Sequence, residues 1–267
     1  MANYNIYTDY PELANYSKTE RYDYFIGCGG LYLAVQMARR MNLKKGDVVL
    51  DLGCGFGSAS MFLAEYYGVT VIAVDLWFPP NKLFERIADK PIKSQIVPLH
   101  FDITQHLPFA ENYFDAIFCM NSLFLFGGDV NFLNNLLGTL KRGGVFCVGS
   151  EGFNEEPQIL SPKDIPEVYN FEWKWNVWDM CYSKYHSPDW WGSLIQQTDV
   201  LDVTCCEELR DGRWLWQDMA QNYEDYIGDE ILSLGAVIPQ EKVISQVKYG
   251  DQTGLFPTLY VISGIKK

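Results

Sequence analysis

Hydrophobic and polar positions alternate along the chain in blocks that predict buried strands followed by amphipathic helices. The first block, residues 48–52, is an apolar run interrupted by one acid and predicts a buried strand. Apolar residues then recur at the i, i+3, i+4 and i+7 positions over 59–66, the spacing of one helix face, and Gly68 can end that helix in a left-handed conformation. A second apolar run covers 70–74. The order strand, helix, strand predicts a right-handed parallel unit.

The same alternation continues toward the carboxyl end of the chain. Helical patterns precede the first strand, from Leu31, and recur between later strands, with apolar positions up to Leu140. Ser187 is predicted to cap a helix, because Pro188 follows at the first helical position and an acid follows in the first turn. Strands that alternate with helices imply a parallel sheet. The remaining strands are predicted at residues 95–101, 114–120, 144–149, 201–209 and 255–265.

Three alternating glycines, Gly53, Gly55 and Gly57, follow the first predicted strand. A turn without Cβ atoms at three positions lets a ligand lie against bare backbone. Asp75 ends the second predicted strand, 22 residues after Gly53. In a right-handed strand–helix–strand unit such an acid lies within reach of a ribose that carries two vicinal hydroxyls. The spacing therefore predicts a ligand that contains adenosine.

The segment 51–57, Asp-Leu-Gly-Cys-Gly-Phe-Gly, resembles the first motif of the class I S-adenosylmethionine-dependent methyltransferases. A dinucleotide-binding turn requires Gly-x-Gly-x-x-Gly, whereas position 58 is Ser, so a pyrophosphate loop is disfavoured. Three later segments also resemble that family: residues 101–103, residues 107–117 and the Leu-Lys-Arg-Gly-Gly segment 140–144. The resemblance is specific over about residues 31–150 and looser beyond. Segments near residues 75–86 and 186–191 are similar to a bacterial subgroup that methylates small molecules.

The resemblance implies a Rossmann-like sheet of seven strands in the order 3-2-1-4-5-7-6, with the last strand antiparallel and helices on both faces. It also implies S-adenosylmethionine as cofactor. In this family Asp75 would accept from the ribose hydroxyls, Asp102 would accept from the adenine amino group, and the end of the fourth strand would face the amino group of the cofactor. The expected cofactor-binding residues are Asp51, Gly53, Cys54, Gly55, Gly57, Asp75, Leu76, Trp77, Asp102, Ile103, Met120 and Asn121.

Several of these residues have a second interpretation that the sequence leaves open. Asp51 is expected to brace the glycine turn through its backbone amides, and Cys54 to be a small residue that the turn tolerates instead of a nucleophile. Trp77 fits a wall for the adenine or the interior of the core. Asp102 fits a turn at a strand end as well as a ligand contact. Ser122 is expected beside the transferred methyl group.

The chain has three histidines, so candidates for a general base are few. His100 falls in a predicted strand and is expected in the core, whereas His106 is expected at the surface. His186 lies where an irregular segment meets a helix, close to Trp190 and Trp191, and an imidazole at such a place would be suited to take a proton from an acceptor. His186 is therefore the candidate catalytic residue.

One domain, residues 1–267, is the simplest organisation. Residues 1–30 are rich in tyrosine and fit either a frayed terminus or a lid over the ligand, and the family favours the lid. Residues 151–186 contain prolines, acids and tryptophans and are read as a cap insertion, which fits a site for a cationic acceptor or an acidic surface loop. Residues 211–250 are read as a helical insertion before the last strand.

Composition narrows the partners and the compartment. The net charge of −13 and the sequence pI near 4.6 argue against a nucleic-acid partner, which would require clustered Lys and Arg. Seven cysteines without a Cys-x-x-Cys pair, together with an amino end unlike a signal peptide and no membrane-spanning apolar run, favour the cytoplasm. The histidines and cysteines lack metal-ligand spacing. The oligomeric state is not predictable.

The sequence therefore predicts an enzyme that transfers a methyl group to nitrogen or oxygen of a small molecule by in-line displacement. The alternatives are a non-catalytic module that binds S-adenosylmethionine and a nicotinamide-dependent oxidoreductase. Gly57 and Ser58 count against the nicotinamide alternative, because its turn places the third glycine at position 58.

Overall fold

One sheet of seven strands organises the chain, in the order β3-β2-β1-β4-β5-β7-β6. The predicted strand order is thereby confirmed. The computed structural model describes residues 9–25, 27–126, 128–157, 162–169, 186–221 and 240–267. The strands are β1 Val48–Leu52, β2 Thr70–Asp75, β3 Ile96–His100, β4 Phe114–Met120, β5 Leu140–Phe153, β6 Leu201–Glu208 and β7 Pro257–Lys266.

Helices flank this sheet on both faces. They are α1 Gly30–Arg39, α2 Ser58–Tyr67, α3 Pro80–Ile87, α4 Val130–Gly138, α5 Pro188–Gln196, α6 Gly212–Gln221 and α7 Gln240–Thr253. Short 3-10 turns occur at Pro11–Leu13, Pro91–Gln95, Leu123–Phe126, Pro162–Asp164 and Glu167–Tyr169. Within the described residues, no helix is long and apolar enough to cross a membrane.

Strand pairing places the ends of three central strands at one edge of the sheet. Strand β1 is parallel to β2 and to β4, and β4 is parallel to β5. Only β7 runs the other way and pairs antiparallel with both β5 and β6. The carboxyl ends of β1, β2 and β4 therefore meet at one edge, which is where ligands bind in open sheets of this kind.

The predicted helix signals agree with the structure at two helices. Gly57 precedes α2 with φ of 76°, and Gly68 ends α2 with φ of 68° while its N–H donates to the carbonyl of Ala64. Ser187 caps α5, because its side chain accepts from the backbone N–H of Trp190 at 3.3 Å. Tyr66 departs from the pattern, since it is 53% exposed although its spacing assigns it to the apolar face of α2.

The sequence underestimates the length of β5. This strand begins at Leu140, which the helical pattern had included, and runs to Phe153, because it pairs with β7 from Val145 as far as Phe153. Glu151 therefore lies inside a strand and is 3% exposed, not in an insertion. The irregular segment thus starts after residue 153, and much of it, including Trp173, lies outside the described residues.

Two apolar layers enclose the sheet. One contains α1 and α2, with Leu33 and Phe62 fully buried, and the other contains α4 and α5, with Leu136 and Trp191 buried. Residues 9–25 join the first layer, since buried side chains of this segment pack there; they are Tyr10, Leu13, Tyr22 and Phe25. A frayed terminus is therefore wrong for residues 9–25. The first eight residues, with Tyr4 and Tyr7, lie outside the described part.

Candidate active site

The glycine turn between β1 and α2 has three left-handed residues with different surroundings. The φ angles are 74° at Gly53, 54° at Gly55 and 76° at Gly57. A Cβ at Gly53 would lie 2.4 Å from Ser122 Cβ, and one at Gly57 would lie 2.4 Å from Leu83 Cδ1. At Gly55 a Cβ would meet no atom within 4 Å. The outer glycines thus serve packing, whereas the middle one presents bare backbone to open space.

Asp75 fastens this turn to the end of β2. One carboxylate oxygen, Oδ2, accepts from the backbone N–H of Gly55 at 2.8 Å. The other, Oδ1, accepts from the N–H groups of Trp77 at 2.7 Å and Phe78 at 3.0 Å. Asp75 therefore lies at the end of β2, as predicted, and next to the glycine turn. The carboxylate that braces the turn is Asp75 and not Asp51, to which the sequence analysis assigned this role.

Asp51 has a different role from the one predicted. It is 1% exposed, and its Oδ2 accepts from the hydroxyl of Ser60 in α2 at 2.5 Å. The turn amides of Gly53 and Cys54 donate instead to the carbonyl of Val74, at 2.9 and 3.1 Å, so the parallel neighbour strand already satisfies them. Burial raises the pKa of Asp51 to about 7, although the Ser60 hydrogen bond opposes the rise.

Cys54 lies between the motif glycines with its thiol close to the turn. Its Sγ is 3.6 Å from the carbonyl oxygen of Gly55. Burial raises the pKa of this thiol well above its usual value, and the charges of Asp51 and Asp75 add to the rise. A thiolate is the reactive form of cysteine. The site therefore disfavours Cys54 as a nucleophile.

The residues after β2 form an exposed apolar surface next to Asp75. Leu76 is 49% exposed and Trp77 is 46% exposed. Trp77 is therefore not core filler, and the wall interpretation remains. The ring nitrogen Nε2 of His100 lies 2.8 Å from the carbonyl oxygen of Leu76, and His100 is exposed, so its predicted core location is wrong. His100 is the last residue of the edge strand β3, which has a neighbouring strand, β2, on one side only in the described sheet.

The segment after β3 contributes one half-buried and one buried residue. Oδ1 of Asp102 accepts from the backbone N–H of Thr104 at 2.9 Å and from its hydroxyl at 2.6 Å, and these hydrogen bonds lower the pKa of Asp102. Asp102 is thus a turn residue. Ile103 is 4% exposed and packs in the core layer with Leu52 and Val74. His106 is exposed, as predicted.

The end of β4 connects the glycine turn with the amino-terminal segment. Asn121 has φ of 52°, and its side-chain amide donates to the carbonyl of Cys28 at 2.9 Å. Met120, at the last position of β4, is 9% exposed. Ser122 donates its hydroxyl to the carbonyl of Leu52 at 2.6 Å and so ties β4 to β1. It was expected beside the transferred methyl, and this hydrogen bond gives it a bracing role instead.

The amino-terminal segment contacts both the start of α2, through Asp23, and the end of β4, through Gly27 and Cys28. The carbonyl of Asp23 accepts from the hydroxyl of Ser58 at 2.9 Å, at the start of α2. At the other side, a Cβ on Gly27 would lie 2.3 Å from Nδ2 of Asn121, so backbone and side chain are in close contact there. Nothing in the motif spacing signals these contacts, because they join positions far apart in sequence.

A second constellation lies where the chain leaves β5 and enters α5. Nδ1 of His186 lies 2.6 Å from Oε1 of Glu156, and the imidazole stacks on the ring of Trp190 with centroids 3.6 Å apart and an interplanar angle of 5°. Glu156 also accepts from the backbone N–H of Ser187 at 2.8 Å. Burial alone raises the pKa of Glu156, but the hydrogen bonds from His186 and Ser187 hold it below its usual value.

This carboxylate partner was not predicted from the sequence. Glu156 was one acid among several in an irregular segment, and 30 residues separate it from His186. His186 itself is 8% exposed and lies against β5, since its carbonyl accepts from the backbone N–H of Phe153 at 3.3 Å. The other aromatic and acidic residues of that segment, including Glu172, lie outside the described part of the chain.

Comparison with known proteins agrees with the motifs and the fold. Residues 50–148 match the family model described as "Methyltransferase domain". The match begins within β1, ends within β5 and includes the glycine turn, Asp75 and the end of β4. The resemblance to class I S-adenosylmethionine-dependent methyltransferases is thereby confirmed over these residues, and the strand order is the one that the resemblance implies.

Individual relatives are more distant. The chain is 28% identical to phosphoethanolamine N-methyltransferase 1 of Arabidopsis thaliana over 183 residues, which is 67% of this chain and 34% of that protein. The chain thus spans about a third of the length of this relative.

Among solved structures, phosphoethanolamine N-methyltransferase 2 of Haemonchus contortus in complex with S-adenosyl-L-methionine superposes with a TM-score of 0.65 at 18% identity, over 99% of this chain and 60% of that one. The [4+2]-cyclase SpnF superposes with a TM-score of 0.64 at 15% identity, over 88% of this chain and 80% of that one. At these identities the structural likeness concerns the fold.

Proposed function

We propose that the chain is an S-adenosylmethionine-dependent methyltransferase that acts on nitrogen or oxygen of a small-molecule acceptor. The observation that carries this proposal is the turn after β1, where Gly55 presents bare backbone to open space while Asp75 holds its amide. Such a turn suits a ligand that approaches the backbone closely. The methyltransferase domain over residues 50–148 and the relatives named above support the same conclusion.

The donor set of this edge fits S-adenosylmethionine. Asp75 would accept from the ribose hydroxyls, and the exposed side chains of Leu76 and Trp77 would cover the adenine. Asp102 would accept from the adenine amino group. Oδ1 of Asn121 is buried without a hydrogen-bond partner among the described residues, so it offers an acceptor for the cofactor's ammonium group.

When bound, S-adenosylmethionine would supply an electrophilic methyl group on a sulfonium: the acceptor would bond to the methyl carbon in line as the carbon–sulfur bond breaks and S-adenosylhomocysteine leaves. The thioether that leaves needs no proton, so the residues of the chain have two tasks: to orient the reactants and to exclude water. The amino-terminal segment, predicted as a lid over residues 1–30, would perform the second task, because Asp23 contacts Ser58 at the start of α2 and Cys28 contacts Asn121 at the end of β4.

His186 is the proposed general base for an acceptor that must lose a proton. Glu156 fixes one ring nitrogen and Trp190 fixes the ring plane, so the second nitrogen is held in one direction. The test is turnover of the identified acceptor by His186→Ala, with His106→Ala as control because His106 is exposed and distant in sequence. A variant His186→Ala with undiminished turnover would rule out this role.

A module that binds S-adenosylmethionine without transferring its methyl group is the second candidate, because the same fold occurs in a protein named for a reaction other than methyl transfer, so the fold by itself does not specify that reaction. Incubation with cofactor labelled in the methyl group and with extracts of small molecules separates the two. A methyltransferase yields S-adenosylhomocysteine and a labelled product, whereas a module binds without turnover. Absence of binding to either form of the cofactor would exclude both.

We also propose a cytoplasmic location and a small molecule, instead of nucleic acid, as partner. Within the described residues, six cysteines are free thiols, which suits a reducing compartment. The acidic net charge of −13 disfavours contact with a polyanion. Fractionation of cells that produce the chain tests the location.

A further inference from the structure

Arg86, in the last turn of α3, contacts two separate segments of the candidate site. Its Nη1 donates to the carbonyl of Phe56 at 2.5 Å and to the hydroxyl of Ser58 at 3.0 Å. Its guanidinium carbon lies 4.2 Å from the centre of the Tyr24 ring. Phe56 and Ser58 belong to the glycine turn and the start of α2, whereas Tyr24 belongs to the amino-terminal segment. One side chain therefore joins the two.

The surrounding contacts close a small cluster around this guanidinium. The hydroxyl of Ser58 in turn donates a hydrogen bond to the carbonyl of Asp23 at 2.9 Å. The Tyr24 ring lies 5.6 Å from the Phe56 ring, and Phe56 lies 4.5 Å from Phe78, which follows Asp75. We call the set Asp23, Tyr24, Phe56, Ser58 and Arg86 the latch cluster.

The position of Arg86 is electrostatically unusual. A guanidinium beside the first residues of α2 lies at the positive end of a helix dipole, which is unfavourable. Burial lowers the pKa of Arg86, and the charge of Asp23 opposes this effect. The chain thus retains a half-buried cation where aliphatic packing would avoid the cost. A specific task at the contact between the two segments accounts for it.

Tyr24 gives a second, independent indication. Its φ is 61°, a left-handed conformation that is uncommon for a residue with a Cβ and costs energy. Such a conformation persists where surrounding contacts hold it, and the described contacts of Tyr24 are the Phe56 ring and the Arg86 guanidinium. The amino-terminal segment is therefore held in a strained form against the glycine turn.

We propose that Arg86 is a positioning residue for cofactor binding: it locks residues 23–25 onto the glycine turn, so that turn and lid receive the cofactor as one preformed unit. This inference rests on the proposed function. Without Arg86 the turn keeps its Asp75 contact on one side, but loses the donor to the Phe56 carbonyl and the cation–π contact with Tyr24, so that only the Ser58–Asp23 hydrogen bond and the Phe56–Tyr24 ring contact still join it to the amino-terminal segment. Ligand binding must then also order the lid, which weakens affinity.

The experiment titrates S-adenosylhomocysteine into the wild-type chain, Arg86→Ala, Arg86→Lys, Tyr24→Ala and Tyr24→Phe by calorimetry. The control is Lys93→Ala, which removes an exposed cation from the turn after α3. We expect Arg86→Ala to weaken binding about tenfold or more, since it removes charge-assisted hydrogen bonds and a cation–π contact. The affinity of Arg86→Lys should lie between those of Arg86→Ala and the wild type, and the affinity of Tyr24→Ala should be close to that of Arg86→Ala. Tyr24→Phe and Lys93→Ala should bind as tightly as the wild type does.

Limited proteolysis with chymotrypsin supplies a second measurement that needs no turnover. In the wild type the bonds after Tyr24 and Phe25 should be protected before ligand is added, whereas in Arg86→Ala they should be cut and then be protected by S-adenosylhomocysteine. Because both variants remove the same contact, the double variant Arg86→Ala, Tyr24→Ala should bind only slightly more weakly than either single variant.

The outcomes separate this inference from the proposed function. If the wild type does not bind S-adenosylhomocysteine, the proposed function fails. If the wild type binds S-adenosylhomocysteine and both Arg86→Ala and Tyr24→Ala bind it as tightly as the wild type does, the positioning role of Arg86 is refuted while the proposed function stands. If Arg86→Ala does not fold, Arg86→Lys and Tyr24→Ala decide: wild-type affinity and protection in both overturn the inference.

Discussion

The proposed cofactor corner, at the glycine turn, and the proposed acceptor corner, at Glu156 and His186, hold their carboxylates in opposite ways. In the cofactor corner, Asp51 is 1% exposed with a single hydroxyl donor, and burial raises its pKa to about 7. In the acceptor corner, the side chain of Glu156 is 36% exposed and receives hydrogen bonds from His186 and Ser187, which hold its pKa below the usual range. One corner disfavours a negative charge, whereas the other is built around it.

This difference indicates how each corner is constructed. The cofactor corner depends on backbone geometry, because strand ends and left-handed glycines place Gly55 and Asp75 whatever the distant side chains are. The acceptor corner depends on contacts between side chains, with His186 held by Glu156 and Trp190. Backbone geometry is shared across a fold, whereas side-chain contacts of this kind vary with the acceptor.

The largest expected effect is the pH dependence of stability that Asp51 confers. The pKa of Asp51 in the folded chain, about 7, lies above its ordinary value of 3.8. The stability that the protonated carboxyl contributes is therefore fully present below pH 3.8 and is lost as the pH rises through the folded pKa. Replacing the carboxyl by Asp51→Asn removes this loss and keeps an acceptor for Ser60. Relative to wild type, the variant should gain about 4 kcal/mol between about pH 4 and pH 8.

Chemical denaturation at several pH values measures this gain. The matched control is Asp89→Asn, because Asp89 is exposed and its stability difference from wild type should stay flat. A difference for Asp51→Asn that is also independent of pH would mean that Asp51 is ionised in the folded chain, and the contrast between the two corners would disappear.

Asp75 should give the next largest effect, on ligand affinity. In Asp75→Ala the cofactor loses its ribose acceptor, and the amides of Gly55, Trp77 and Phe78 lose theirs. We expect a loss of about 2 to 3 kcal/mol, or roughly 30- to 150-fold, in the affinity for S-adenosylhomocysteine. Calorimetric titration measures it, and unchanged affinity would contradict the assignment of Asp75.

The asparagine variant refines the same experiment. Asp75→Asn keeps a carbonyl oxygen for the amides of Trp77 and Phe78, but its amide nitrogen cannot accept from the N–H of Gly55. Its affinity should therefore lie between wild type and Asp75→Ala. Asp89→Ala, in the exposed loop after α3, should bind as the wild type does.

The same division explains what the sequence could and could not predict. The sheet order and the positions of Gly55 and Asp75 follow from apolar periodicity and from a motif resemblance, both of which are local signals. The length of β5 and the burial of Glu151 depend on pairing with β7, a strand more than 100 residues away. Local periodicity carries no information about that partner.

Site residues follow the same rule. The acid that braces the glycine turn was assigned to Asp51, because the motif places it next to the glycines, but the structure gives the contact to Asp75 on the neighbouring strand. Glu156 contacts His186, which is 30 residues away. Arg86 contacts the glycine turn and the start of α2, which are 30 and 28 residues away. Such contacts become visible only when the backbone has brought the segments together.

The middle glycine of the turn, Gly55, and an outer one, Gly57, should separate stability from binding. An alanine in a left-handed conformation costs about 1 to 2 kcal/mol. Gly57→Ala adds a contact with Leu83, so its free energy of unfolding should fall by about 2 kcal/mol or slightly more. For Gly55→Ala the free energy of unfolding should fall only by the cost of the left-handed conformation, because its Cβ meets no atom within 4 Å.

Binding should show the reverse order. The methyl group of Gly55→Ala enters the space assigned to the cofactor, so S-adenosylhomocysteine affinity should fall more for Gly55→Ala than for Gly57→Ala. Gly138→Ala, at the end of α4 with open space around its Cβ, is the control and should be neutral or slightly stabilising. Equal affinities for Gly55→Ala and the wild type would place the ligand elsewhere.

The smallest expected effect concerns Glu156, and its sign should be opposite to that of Asp51. The folded pKa of Glu156 lies below its ordinary value of 4.5, so the stability it contributes is present above that value and is lost as pH falls through the folded pKa. Because this side chain is 36% exposed, screening by solvent limits the contribution to about 1 kcal/mol or less.

Glu156→Gln should therefore be slightly less stable than wild type near neutral pH, and the difference should shrink in acid. Denaturation curves for both proteins at neutral and acidic pH, with the exposed Glu155→Gln as control, measure it. A difference that grows in acid would mean that Glu156 is not held as an anion by His186, and the two corners would then respond to pH in the same direction.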